Sequence, residues 1–120
     1  TSDSGGVVYH IGDTAYGDGS IFRAIRFKYG PPQLALLPIG AYEPRWFMKD
    51  VHMNPAEAVQ AHLDLGAPPS IGMHFGTFQL TLESIDAPLT DLAAARRARG
   101  VPDGRFGTLA FGGSLRLERP

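Results

Sequence analysis

Two residues of types that bind metal ions each follow an apolar run of the sequence. Asp13 comes after the run from Gly6 to Ile11, and His74 closes the stretch SIGMH. A carboxylate oxygen and an imidazole nitrogen suit zinc, manganese or iron, so this pair could hold a metal ion. Both residues also have ordinary roles, because Asp commonly forms an Asx turn after a strand and a histidine at a strand end is often a hydrogen-bonded, half-buried side chain.

Further candidates lie between residues 40 and 53, in the stretch GAYEPRWFMKDVHM. No helical or strand period survives there, so we predict a long loop, and loops of this length often carry function. Its aromatic residues Tyr42, Trp46 and Phe47 are candidates for substrate contact, although Trp46 and Phe47 could instead anchor the loop. His52 is either a surface residue or a catalytic one.

The segments that position these residues alternate between strand and helix. Short apolar runs predict strands at residues 7–11, 34–39 and 70–74. One helix is predicted to start at the cap Ser20 and to end before Gly30-Pro31-Pro32, and the last to run over residues 88–99. The middle helix starts at NPAE, where Asn54 is the N-cap and Glu57 can reach back to it. FGTLAFGGSLRL near the C-terminus predicts one or two strands, with a hairpin turn at Gly112-Gly113.

This alternation predicts an α/β fold with a mostly parallel sheet and right-handed crossovers. Ligands of such sheets bind beyond the carboxyl ends of the strands, because the loops converge there. Asp13, the loop at residues 40–53 and His74 each follow a different predicted strand. We therefore expect them at one edge of the sheet.

Composition narrows the class of protein. A chain of 120 residues, 43% hydrophobic and 19% charged, predicts a single globular domain over residues 1–120. A net charge of −1 gives no basic surface for nucleic acid. The absence of cysteine excludes disulfides and thiol nucleophiles and fits a reducing compartment. No apolar run approaches the ~18 residues that a membrane span needs, so we expect a cytoplasmic protein without a transmembrane segment.

Four stretches together carry a family resemblance: YHIGDTAY, LALLPIGAYEPRWFM, HMNPAEAV and MHFGTF. They resemble the C-terminal half of a metallo-β-lactamase-fold hydrolase, in particular the branch with N-acylphosphatidylethanolamine phospholipase D and the ascorbate-6-phosphate lactonase-like proteins. The likeness runs from about Val7 to Val101. It implies half of an αββα sandwich, with a mixed sheet built from strand-helix-strand units.

The resemblance also implies roles for individual residues. Asp13 would bridge two metal ions, His74 would ligate one of them, and His52 would lie near the metals and contact the substrate. Zinc is the expected metal, with manganese as the alternative. The implied reaction is cleavage of a phosphodiester, a lactone or a related ester, in a small molecule or a lipid, by a hydroxide that two metal ions activate.

One part of the family pattern is missing from this sequence. The HxHxDH motif does not occur, since histidine is found only at positions 10, 52, 62 and 74. We therefore expect either a fragment of a longer protein or a chain whose N-terminal half comes from another chain, and weak or no activity for these 120 residues alone. Uncovered apolar surface would favour a homo-oligomer. The alternative is a non-catalytic half-domain, an interaction module that self-associates.

Overall fold

The computed structural model describes residues 7–12, 15–40, 42, 45–48, 52–73, 86–102, 104–109 and 113–114. Within these ranges the chain forms four strands and four helices. In chain order they are β1 (Val8–His10), α1 (Ser20–Tyr29), β2 (Leu34–Pro38), α2 (Arg45–Met48), α3 (Pro55–Asp64), β3 (Ser70–Met73), α4 (Ala87–Arg99) and β4 (Phe106–Gly107). None of the helices in these ranges is long and apolar enough to cross a membrane.

The described strands form one parallel sheet in the order β1-β2-β3-β4. Val8 pairs with Leu34, and Ser70 pairs with Ala35 on one side and with Phe106 on the other. Parallel strands in chain order, joined by right-handed crossovers, bring their helices to the same face of the sheet. The predicted α/β fold with strand-helix-strand units is confirmed.

The hydrophobic core lies between the helices and one face of the sheet. The helices contribute Phe22, Val59 and Leu92, and the sheet contributes Leu37 and Phe106, all at most 2% exposed. Burial of a side chain of this size stabilises the fold by about 1.5 to 3 kcal/mol. The core therefore holds the helices at fixed positions behind the strands.

The other face of the sheet carries apolar side chains outside this core. Val8, Leu36, Ile71 and Met73 share that face, because Leu36 pairs with Ile71 and residues two apart in a strand point the same way. Val8 is 41% exposed, and the other three are half-buried. None of the four belongs to the cluster that the described helices form with the sheet. We call these four residues the open face.

Helix α3 begins as the sequence predicts. The Asn54 side chain accepts the Glu57 backbone N–H at 2.8 Å, and Glu57 Oε1 accepts the Asn54 N–H at 3.0 Å. Pro55 occupies the first turn, where its missing N–H does no harm. This reciprocal capping stabilises the helix by about 1 kcal/mol. It also fixes the backbone next to His52.

Two local predictions are wrong. Ser20 is the first residue of α1 and not its N-cap, because Gly19 takes the cap position with φ of 80°. Glycine adopts this left-handed conformation readily, and the Asp18 carboxylate then accepts the Ser20 N–H at 3.0 Å. Residues 40–53 are not loop throughout, since Arg45–Met48 form α2. A helix of four residues is too short to show a period in the sequence.

The C-terminal elements agree with the sequence as far as the structure describes them. Helix α4 begins one residue before the predicted start and ends at Gly100, which has φ of 69°. Phe106–Gly107 form a strand, β4, parallel to β3. The predicted turn at Gly112 lies outside the described residues.

Candidate functional site

Three neighbouring strands end at the same edge of the sheet. β1, β2 and β3 are adjacent and parallel, so their carboxyl ends point the same way. Asp13 comes three residues after the last residue of β1, and His74 directly follows the last residue of β3. Asp13 and His74 themselves lie outside the described residues. The fold thus directs the segments that carry both of them, and the loop after β2, to one edge.

The turn that leads from β1 toward Asp13 is fixed by hydrogen bonds. The Ile11 N–H donates to the Leu36 carbonyl at 3.3 Å, which extends the β1–β2 ladder by one residue. The Gly12 N–H donates to His10 Nδ1 at 3.2 Å. Gly12 has φ of 74°, which glycine tolerates better than other residues. The chain therefore leaves the sheet at Gly12 in a defined direction.

The loop after β1 is tied to α3 by a tyrosine. The Tyr16 hydroxyl donates to Asp64 Oδ2 at 2.5 Å, and the Tyr16 ring stacks on Phe22 with centroids 5.7 Å apart. Arg23 Nη1 lies 3.6 Å from the same Asp64 oxygen. Burial and the bond to Asp64 raise the pKa of Tyr16 to about 12, so the phenol keeps its proton at neutral pH. This contact holds the far end of the loop that contains Asp13.

A second tyrosine ties the loop after β2 to α4. Tyr42 is 3% exposed, and its hydroxyl donates to Asp91 Oδ2. Trp46 is 86% exposed on α2. The backbone of Phe47 lies in the same helix, and its side chain lies outside the described residues. A role for these three residues in substrate contact stays a prediction, and for Tyr42 the described contact is with Asp91.

Arg45 joins the two ends of this loop. Its Nη1 lies 3.3 Å from the backbone carbonyl oxygens of both Tyr42 and His52. Its Nη2 forms an ion pair with Glu57 Oε1, the oxygen that also accepts the Asn54 N–H. The guanidinium thus connects the start of the loop, its end and the first turn of α3. His52 is half-buried at the end of this network.

The sequence singled out Tyr42 as a candidate for substrate contact and Glu57 as part of a capping box. It did not predict their long-range partners, and it did not single out Arg45 or Tyr16. Arg45 and Glu57 are 12 positions apart, and each tyrosine lies nearly 50 positions from its aspartate. Glu57 had a local signal in the sequence, the capping box, but that box does not indicate a contact with an arginine. Acids inside helices, such as Asp64 and Asp91, are also common on solvated surfaces. Such pairs become visible only once the fold is known.

The candidate metal ligands can be judged by the chemistry of their donor atoms. The part of the chain that the structure describes holds no group of three or more His, Asp or Glu residues placed to bind a metal ion. The two predicted ligands, Asp13 and His74, offer oxygen and nitrogen donors that fit zinc or manganese. Their types and their places after adjacent strands are compatible with a metal centre at the strand ends.

Comparison with known proteins shows the family of this chain. The family profile described as "Beta-lactamase superfamily domain" matches residues 1–75. "N-acyl-phosphatidylethanolamine-hydrolyzing phospholipase D 1" of Caenorhabditis elegans is 45% identical over 106 residues, which cover 87% of this chain and 30% of the relative. A metal-dependent hydrolase of Myxococcus xanthus is 38% identical over 99 residues, which cover 82% of this chain and 32% of the relative.

The mitochondrial N-acyl-phosphatidylethanolamine-hydrolyzing phospholipase D of Saccharomyces cerevisiae is 37% identical over 98 residues, which cover 81% of this chain and 21% of the relative. The chain thus spans about a third or less of the length of these relatives. The resemblance seen in the sequence is confirmed, and the parallel α/β sheet fits part of the family's fold. The chain belongs to the beta-lactamase superfamily, whose members among these relatives are hydrolases.

Proposed function

We propose that this chain is the C-terminal part of a metal-dependent hydrolase that cleaves a phosphodiester, a lactone or a related ester. One observation carries the proposal. Three adjacent parallel strands end at one edge, and each is followed by a segment with a candidate site residue: Asp13, His52 and His74. The names of the relatives, a phospholipase D and a metal-dependent hydrolase, support the reaction class.

Each of the three residues has a distinct role in this proposal. The Asp13 carboxylate would hold two metal ions, and the His74 imidazole would hold one of them. His52 would donate a hydrogen bond to the substrate or to the leaving group. Bound zinc ions, or manganese ions in their place, would supply a Lewis acid that activates water and stabilises the charge that develops on the cleaved ester. The remaining ligands would come from the N-terminal half of the fold.

The open face of the sheet is consistent with a missing N-terminal half of the fold. Val8, Leu36, Ile71 and Met73 present apolar surface on the side of the sheet away from the helices. Two sheets that bury such faces against each other form a sandwich with a core about 10 Å thick. We propose that a second sheet, from the N-terminal half of the same fold, packs on the open face and completes the site.

The open face also favours a second candidate function. A half-domain without the catalytic partner could bury the same surface against a second copy of itself. This would be the non-catalytic, self-associating module. In analytical ultracentrifugation it would form a dimer at micromolar concentration with no bound metal, whereas the hydrolase needs metal whatever its oligomeric state.

A rate measurement tests the hydrolase with a phosphodiester probe. We expect the full chain, loaded with zinc and joined to its N-terminal half, to hydrolyse bis(p-nitrophenyl) phosphate. His52→Ala should lower kcat by about 10²-fold, the scale expected for the loss of one positioned acid or donor. Lys28→Ala, on the exposed surface of α1, is the control and should leave kcat unchanged. An unchanged rate in His52→Ala would remove His52 from the mechanism.

A further inference from the structure

The Arg45 side chain contacts both ends of the loop between β2 and α3. Tyr42 stands near its start and His52 at its end, and the Arg45 guanidinium contacts the backbone carbonyl oxygens of both, at 3.3 Å each. Both carbonyls accept from the same atom, Nη1, so the two ends of the loop are brought to one point.

The guanidinium is itself held in place from the side of the helix. Nη2 forms the ion pair with Glu57 Oε1, and both side chains are largely buried, with 26% of Arg45 and 22% of Glu57 exposed. Glu57 cannot move freely because its carboxylate also caps α3 through the Asn54 N–H at 3.0 Å. A charge-assisted hydrogen bond from a partly buried arginine to a carboxylate is stronger than one between neutral groups.

The start of the loop is fixed independently. Tyr42 is 3% exposed and bonds to Asp91 on α4, a helix that packs on α3. Arg45 therefore links a point fixed on α4 to the first turn of α3, with the His52 carbonyl between them. A shift of the His52 carbonyl would break its contact with Arg45 Nη1.

We propose that Arg45 is the positioning residue for His52: it holds the backbone of His52 at the catalytic edge without touching substrate. This inference rests on the proposed function for the role of His52 in hydrolysis. The structural part of the inference, that Arg45 sets the position of His52, does not depend on a role of His52 in hydrolysis. The contact needs two nitrogens of one guanidinium, because Nη2 pairs with Glu57 while Nη1 meets both carbonyl oxygens.

A lysine at position 45 separates the charge of the guanidinium from its two terminal nitrogens. Arg45→Lys keeps a cation for Glu57 but has one terminal nitrogen where arginine has two, so it cannot pair with Glu57 through one nitrogen and reach the carbonyl oxygens through another. Arg45→Gln removes the charge as well. Arg97, an exposed arginine on α4, provides matched controls through Arg97→Lys and Arg97→Gln.

Two readouts are needed on the zinc-loaded full chain joined to its N-terminal half. The first is the imidazole carbon-proton resonance of His52, assigned by its loss in His52→Gln. The second is kcat and KM for bis(p-nitrophenyl) phosphate, with the melting temperature recorded beside both. Displacement of a catalytic group by about 1 Å can lower a rate by about 10²-fold. We therefore expect Arg45→Gln to lower kcat by about 10- to 100-fold with KM changed by less than about threefold.

The lysine variant decides between positioning and mere stability. We expect Arg45→Lys to keep a melting temperature near that of the parent, to shift the His52 resonance and to lower kcat by at least about tenfold. Recovery of kcat together with stability in Arg45→Lys would overturn the inference, because the ion pair alone would then suffice. An unmoved His52 resonance in both Arg45 variants would overturn it as well.

The same data distinguish this inference from the proposed function. In one outcome the parent does not hydrolyse the phosphodiester, but the His52 resonance moves in the Arg45 variants and not in the Arg97 variants. The positioning contact then stands, and the proposed phosphodiesterase activity fails. If the parent hydrolyses the probe and neither kcat nor the resonance responds to Arg45, the proposed function stands and the positioning role fails.

Discussion

At the scale of single residues, two tyrosines have matching roles in successive loops. Tyr16 follows β1 and donates to Asp64 on α3, and Tyr42 follows β2 and donates to Asp91 on α4. In each case a phenol crosses from a loop at the proposed site to an acid on a helix of the core layer. The loops are thereby fixed to the scaffold by polar contacts rather than by apolar packing alone.

We predict that Tyr16→Phe destabilises the protein by about 2 kcal/mol, because it removes a hydrogen bond to a carboxylate that is 10% exposed. The ring would still stack on Phe22, so packing changes little. Unfolding in urea measures the difference. Tyr29→Phe is the matched control, since Tyr29 is 60% exposed on α1 and its change should stay within about 0.5 kcal/mol. Equal stability of the Tyr16 variant and the parent would contradict the prediction.

The sequence identifies the candidate metal ligands more readily than the residues that support them. Asp13 and His74 stand out because they follow apolar runs and match a family pattern. Arg45 and Tyr16 escape notice, and Tyr42 is found only as a candidate for substrate contact, because the partners of all three residues are distant in the chain. His52 gains its candidacy from the resemblance, whereas the contact that fixes its backbone is visible only in three dimensions.

At the scale of secondary-structure elements, α3 connects with every layer of the domain. It packs on α4, on α1 and on β2, and its first turn holds Glu57 while its last turn holds His62 and Asp64. His62 is 1% exposed, and its Nδ1 lies 2.7 Å from Ser70 Oγ on β3. Because the Ser70 hydroxyl donates to the Pro68 carbonyl, Nδ1–H is the donor in the bond between α3 and β3.

The burial of the His62 imidazole makes stability depend on pH. Burial, and then the positive charge of Arg105, lower the pKa of His62 from its usual 6.5 to about 4. Between these two values the unfolded chain binds a proton at His62 that the folded chain does not, so the free energy of unfolding falls as the pH is lowered from 6.5 to about 4. Above pH 6.5 the imidazole is neutral in both states and contributes no slope.

We predict that the stability advantage of the parent over His62→Gln is largest above pH 6.5 and shrinks as the pH is lowered toward 4. Urea unfolding at several pH values across that range measures it. The difference between parent and variant cancels the carboxylates and the other histidines, which titrate in both proteins. Parallel stability curves for the two proteins would show that His62 does not carry a depressed pKa.

Elements with local signals were predicted well, and those set by tertiary contacts were not. The capping box of Asn54 and Glu57 predicts the start of α3, because both partners lie within one turn of the helix. Helix α2 was missed, since four residues show no period and its Arg45 is held by contacts with the loop ends and α3. The cap of α1 was misplaced by one residue because Gly19 could take a conformation that Ser20 could not take as easily.

At the scale of the whole molecule, the two faces of the sheet differ in the part of the chain that the structure describes. The helices bury one face of the sheet, and the apolar residues of the open face remain partly exposed. Chain order and the strand-helix-strand pattern were enough to predict the parallel sheet and the convergence of its carboxyl ends. What packs on the open face could not be predicted from composition, because apolar residues on a strand read the same whether they face a helix or a second sheet.

The proposed hydrolase requires that Asp13 and His74 hold metal ions at the ends of the strands. The most direct test is the metal content, by mass spectrometry, of the protein as its native host makes it, beside Asp13→Asn and His74→Asn made in the same host. Asp86→Asn, an exposed acid before α4 whose side chain makes no capping bond, is the control. We predict about two zinc or manganese ions per chain in the parent and the control, and a loss of metal in the Asp13 and His74 variants with unchanged circular dichroism. Equal metal content in all four proteins, or none in the parent, would contradict the account.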